Sequence, residues 1–132
     1  MATNHTTNYQ LNLWEPEDSF LREEFNENSQ KIDGALGEKV SILVDAYEGD
    51  DSETRTIPLP FTPTAVLVWG DNGVQATPYG GYSYGGMAFS GHPCRYGGET
   101  VLSVTENGFQ VAQGDRAYAN KKGSRYYYLA LH

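Results

Sequence analysis

The chain has 132 residues, 39% hydrophobic and 20% charged, with a formal net charge of −8 and a single cysteine. That length suits one compact body with an appendage and hardly two full cores. The lone Cys94 excludes an intrachain disulfide, the want of a basic patch argues against nucleic acid as partner, and no run of about 18 apolar residues offers a signal peptide or membrane span.

Residues 1–8 are polar and read as a frayed end. Trp14 precedes Pro16, a residue suited to the first turn of a helix, where its missing N–H costs nothing. Glu15, Glu17 and Asp18 sit where a helix macrodipole favours negative charge. The pattern predicts a helix running to about Leu36, with Gly34 and Gly37 as stop signals. Along it Leu21, Phe25, Asn28, Ile32 and Ala35 follow a 4-3-4-3 spacing, the seam of a short coiled coil with a polar residue in its middle.

Two readings of that helix stand side by side. It is an amphipathic helix lying on its own β domain, or a self-associating stalk whose register Asn28 fixes. The seam covers barely two heptads and is marginal alone in water, so in either case it must dock on something. Residues 15–53 hold 13 acids against three bases, whereas from Thr54 onward four acids face six bases. The acidity therefore belongs to the N-terminal arm and to the strand and loop that follow it.

From Val40 the periodicity changes to alternation. Val40, Ile42, Val44 and Ala46 point one way, and Ser41, Leu43, Asp45 and Tyr47 the other. Residues 48–52 form a polar turn, and 54–59 read as a second strand. Thr64–Trp69 is the most hydrophobic run and the expected central strand, ended by the turn residues Asp71-Asn72-Gly73. Residues 70–98 hold nine of the fifteen glycines together with Tyr79, Tyr82, Tyr84, Phe89 and Tyr96, and no strand is assigned there. Thr100–Glu106, an Asn107-Gly108 hairpin signal, Phe109–Gln113, a turn over 120–124 and a strand over 125–131 complete the chain. The expected fold is mainly β, a small antiparallel sandwich or barrel (39–132) behind an N-terminal helical arm (1–38).

Little in the chain has the pattern of catalytic chemistry, and no catalytic, metal-binding or cofactor residue is assigned. His5, His92 and His132 lack a second ligand at metal spacing. His92 and Cys94 are two apart in a loop, with no third group to orient a nucleophile. The Gly80–Gly86 stretch lacks the lysine of a phosphate loop. A glycosidase pair would have to come from Asp71, Glu99, Glu106 and Asp115, two of which adjoin turn glycines. The Tyr/Gly loop remains, because tyrosine rings give rigid contact area and glycines allow irregular backbone. Trp69, Tyr79, Tyr82, Tyr84 and Tyr96 are its candidate residues, for a ligand or for a subunit interface.

Two stretches resemble a known group. Asn8–Asp18, continuing through Phe25-Asn26-Glu27-Asn28 to Lys31-Ile32-Asp33-Gly34-Ala35-Leu36, is similar to the start of tail-fibre and baseplate-associated proteins in prophages of Gram-positive, often gut, bacteria. Val104–Val111 with Asn120 and Tyr126–Ala130 is similar to the small β domains that cap phage fibres. Together these cover roughly half the chain, and a long repetitive shaft is missing. The resemblance implies that Leu13 and Trp14 attach the protein to the tail. It also implies that Leu21, Phe25, Asn28 and Ile32 form the seam of a homotrimer.

The expected function is thus a non-enzymatic tail structural protein, made in a bacterial cytoplasm and carried in a virion released by lysis. Its expected partners are its own copies, other tail proteins and a host cell-surface glycan, with no nucleic acid and no membrane insertion. A carbohydrate-binding module using the loop aromatics is the alternative. A cell-wall hydrolase built on Glu99 and Asp115 comes third.

Overall fold

In the computed structural model, which describes residues 1–73, 75–77 and 81–132, the chain divides into two compact units, Met1–Lys39 and Val40–His132. It is mainly β, with one helix and antiparallel sheets.

The first unit pairs β1 (Asn4–His5) antiparallel with β2 (Asn12–Leu13), followed by α1 (Arg22–Gly37). The N-terminal residues are tied down where a frayed end was expected. Ala2 N–H donates to the Glu24 carboxylate at 2.9 Å, and Thr3 donates to Asp18 from both its backbone N–H and its hydroxyl, each at 3.0 Å.

The helix also starts later than Pro16. Residues 15–18 form a turn closed by Asp18 N–H donating to Glu15 O at 3.0 Å, with Pro16 in the second position that proline favours. The Asp18 carboxylate accepts the Glu15 N–H at 2.9 Å. Those acids therefore build a turn, and Glu23 and Glu24 supply the negative first turn of α1. The helix passes through Gly34 and ends at Gly37.

The second unit is a sandwich of two four-stranded sheets. One has the order β3 (Ile42–Glu48), β10 (Arg125–Leu131), β5 (Ala65–Gly70), β6 (Gly86–Phe89). The other has the order β4 (Thr54–Pro58), β9 (Gly108–Ala112), β8 (Glu99–Thr105), β7 (Cys94–Tyr96). The chain crosses between sheets at β3–β4, β4–β5, β6–β7 and β9–β10. The last strand returns beside the first, and Ser41 and His132 exchange backbone hydrogen bonds of 2.9 and 3.0 Å.

The glycine-rich stretch contains β6 and β7, two strands of four and three residues that alternation could not reveal. At the hairpin, Gly108 already pairs with Thr105, so the two loop residues are Glu106 and Asn107, the latter at φ 51°. Glycine is required at 108 for a different reason. A Cβ there would lie 2.4 Å from the Ile57 carbonyl oxygen of the neighbouring strand.

The core between the sheets is aromatic. Tyr47 stacks on Tyr126 with centroids 5.1 Å apart, and Phe109 meets Tyr128 edge-on at 4.9 Å. Val66, Val68, Val101, Leu102 and Val111 fill around them, all fully buried. Burying a tyrosine requires a partner for its hydroxyl. Tyr47 donates to Ala119 O and Tyr126 to Tyr118 O, so both rings hold the 117–121 loop. Burial pushes the Tyr47 hydroxyl well above the ordinary tyrosine range, which leaves it a donor at every physiological pH.

Buried Asn120 ties the same loop to residues 50–52. Its amide donates to Asp50 at 2.6 Å and to Ser52 O at 3.1 Å. Asp51 N–H in turn donates to Asn120 O at 2.8 Å.

Candidate interaction surfaces

Strand alternation gives each sheet an inner and an outer face. In the β3-β10-β5-β6 sheet the inner face carries Tyr47, Tyr126, Tyr128, Val66, Val68 and Ala130. The register then fixes what lies outside. One row is Ala46, Tyr127, Trp69; the next is Val44, Leu129, Leu67, Met87; the third is Ile42, Leu131, Ala65, Phe89. All eleven residues are apolar or aromatic.

Six of them are exposed, from Val44 at 69% down to Trp69 at 37%. An antiparallel sheet that faces water on one side normally alternates apolar inside with polar outside. This sheet is apolar on both, apart from Asp45 on the inner side of its edge strand β3. Its charged outer side chains gather at one end, where Arg125 lies 3.8 Å from Glu48.

The other sheet follows the normal rule. Its inner face has Ile57, Phe109, Val111 and Leu102, and its outer rows read Thr56, Gln110, Ser103 and Pro58, Gly108, Thr105. Beside it, a depression of about 290 Å³ is lined by Glu53, Thr54, Glu99, Thr100, Ala112, Gln113 and Gly114.

In the first unit the helix uses its polar face internally. Glu24, Asn28, Lys31 and Ala35 lie at i, i+4, i+7 and i+11 and are its half-buried positions. Asn28 accepts the Asn12 N–H at 2.6 Å and donates to Asn12 O at 3.0 Å. Lys31 donates to Gln10 O at 2.7 Å and pairs with Glu27 at 2.8 Å. Glu24 accepts the Trp14 indole N–H at 3.0 Å.

Both ends of the Asn28 carboxamide are therefore engaged within the chain. Leu21, Phe25, Ile32 and Leu36 stay exposed. Of the expected attachment pair, Leu13 is exposed, while Trp14 is half-buried with its ring 4.7 Å from that of Phe20.

The candidate loop aromatics fall in separate places. Trp69 belongs to the apolar outer face. Tyr82 lies against Tyr118 with centroids 4.2 Å apart, and Tyr84 meets the same ring edge-on at 6.1 Å. Tyr96 donates its hydroxyl to Thr77 O at 2.6 Å, pinning the loop. Tyr79 lies outside the described residues. Sequence reasoning missed Tyr118, because only the fold brings 118 beside 82–84.

Several titratable groups are held by structural hydrogen bonds. The Glu99 carboxylate accepts the N–H groups of Asp115, Arg116 and Ala117 at 3.2, 3.0 and 2.9 Å, which hold its pKa below the usual range. A general acid needs the opposite shift. A Cβ at Gly114 would come 2.7 Å from that carboxylate, so glycine leaves the carboxylate room where it sits. Hydrogen bonds from Ser52 and Asn120 hold Asp50 down to about 2. Burial pushes the Cys94 thiol up, away from the depressed value of a reactive cysteine.

Among the described residues, no cluster of three or more His, Cys, Asp or Glu is arranged to hold a metal, and no helix is long and apolar enough to cross a membrane. No protein-family model, curated protein or solved structure matches the chain.

Proposed function

We propose that this protein is a structural component of a phage or prophage tail, fibre-like or a baseplate accessory, that acts as a homotrimer without catalysis. It is made in a bacterial cytoplasm and leaves with the virion at lysis. The observation that carries the reading is the division of labour on α1. Its polar face is consumed by hydrogen bonds to the N-terminal segment, and its apolar stripe Leu21, Phe25, Ile32, Leu36 is left for a partner.

A helix of 16 residues has too short a stripe to hold an oligomer by itself, so it works as one part of an assembly. The sequence resemblance of residues 8–36 to fibre and baseplate proteins names the kind of assembly. Leu13 and Trp14 attach it, and other tail proteins are its neighbours.

The test is sedimentation of lysates carrying tagged protein, with mass spectrometry of the particle fraction. The protein is expected to pellet with tails, and Leu13→Asp with Trp14→Ala to move it to the supernatant. Wild-type protein wholly in the supernatant of tail-containing lysates overturns the reading.

A second reading, binding of a host-surface glycan, is favoured by Tyr82, which is 40% exposed and backed by Tyr118. A sugar face stacks on such a ring. Glycan-array binding that Tyr82→Ala abolishes supports it, and no binding by wild type removes it.

A further inference from the structure

We infer that the outer face of the β3-β10-β5-β6 sheet is an interface between copies of this chain. The inference deepens the homo-oligomer reading, on which it rests for the occupant, and it assigns the surface that joins the β bodies.

Area is the first argument. Ile42, Val44, Trp69, Met87, Phe89 and Tyr127 are exposed by 63, 69, 37, 50, 49 and 49% respectively. Applied to side chains that can bury about 150–250 Å² each when aromatic and somewhat less when aliphatic, these fractions leave on the order of 600 Å² of contiguous apolar surface. A typical monomer's largest apolar patch reaches about 300–600 Å², whereas a standard interface takes roughly 800 Å² from each partner. With the half-buried Leu67, Leu129 and Leu131 between them, the rows offer an interface of ordinary size.

Charge is the second argument. A partner of opposite charge has nothing to grip on this face, since all eleven outer positions of its three rows are uncharged. Uncharged faces of neighbouring copies meet without repulsion, although the whole chain carries −8. The rim pair Arg125–Glu48 neutralises itself within each copy.

The sheet's edge carries a charge of its own. Asp45 occupies the inner row of edge strand β3, opposite Tyr128, and is exposed. An inward-pointing charge on an edge strand opposes strand-to-strand joining. Pairing along β3 is thus discouraged while the face beside it is left open.

The experiment measures the mass of the full chain by sedimentation velocity from submicromolar to tens of micromolar, with circular dichroism as the check on folding. V44E/M87E puts charges at two exposed positions of the face. T56E marks the polar outer face of the other sheet, and F25E/I32E marks the helix stripe. Wild type and T56E are expected to associate alike, and V44E/M87E to associate at least about 100-fold more weakly with an unchanged spectrum, because an unpaired charge would be buried.

Unaltered association of a folded V44E/M87E overturns the inference. If F25E/I32E alone dissociates the protein, this interface fails while the stalk reading stands. Wild type monomeric throughout overturns the interface, and particle sedimentation then judges the tail reading separately. If V44E/M87E loses its native spectrum, the milder M87Q/F89S replaces it, with the same outcomes read.

Discussion

The two sheets of the β body share one core and differ in what they show outside. The β4-β9-β8-β7 sheet presents Thr56, Gln110, Ser103 and Thr105, the alternation expected of a strand pair half in water. The β3-β10-β5-β6 sheet presents Ile42, Val44, Leu67, Trp69, Met87 and Tyr127. Both sets are compatible with strands, since β-branched and aromatic residues favour a pleated surface wherever it faces. The difference is not needed for the fold. Under the proposed interface it reflects what each face meets, water for one and a neighbouring copy for the other.

Substitutions that strike the shared core are expected to have the largest effect and to ignore the contrast. Phe109→Ala removes a fully buried ring that contacts Tyr47 and Tyr128, at a cost of about 3–5 kcal/mol. Chemical denaturation checks it, and a loss below about 1 kcal/mol would contradict the assigned core.

Next comes the loop that both sheets hold. Tyr126→Phe removes a hydroxyl that donates to Tyr118 O and accepts the Lys121 N–H at 3.1 Å, and should cost about 1–3 kcal/mol. Asn120→Ala should likewise loosen residues 50–52, seen as faster hydrogen exchange at Asp51, whose N–H donates to Asn120 O.

The pH effect is smaller and acts away from both faces. Asp50 has a folded pKa of about 2 against an ordinary 3.8. A depressed carboxylate stabilises the fold above its unfolded pKa, and that stability is lost as pH falls through the folded value. Stability should therefore decline between about pH 4 and pH 2, with Glu99 contributing in the same direction. Thermal melts of Asp50→Asn should show a shallower acid limb, and an unchanged limb would sink the assignment.

The smallest effect on monomer stability belongs to the faces themselves. Val44→Glu and Thr56→Glu are each expected within about 0.5 kcal/mol of wild type when dilute. Only the first should change behaviour on concentration.

Much of this body was legible in the sequence. The alternation from Val40 to Tyr47, the strand expected over 54–59, the hydrophobic run Thr64–Trp69 and the last three strands all lie within a residue or two of β3, β4, β5, β8, β9 and β10. The orientation of β3 was not. Hydropathy favours burying Val40, Ile42 and Val44, yet the structure buries Tyr47 and turns Val44 outward. A one-residue shift in facing exchanges the two faces, and only the neighbouring strands decide between them.

The short strands β1, β2, β6 and β7 escaped because two to four residues cannot display a period. Pro16 misled for a related reason, since proline suits a turn as well as a first helical turn. The helix was readable from the spacing of its apolar residues. That Asn28 would bond Asn12 within the chain was not, because β2 carries no local signal that it lies against the helix.

The two methionines allow the central claim to be tested within one molecule. Met87 lies on the apolar outer face at 50% exposure, and Met1 lies in the other unit at 71%. Peroxide oxidation followed by peptide mass spectrometry compares their rates across a dilution series. Met87 is expected to be shielded relative to Met1 at tens of micromolar and to lose that protection at submicromolar concentration. A Met87 rate that keeps the same ratio to Met1 at every concentration would contradict it.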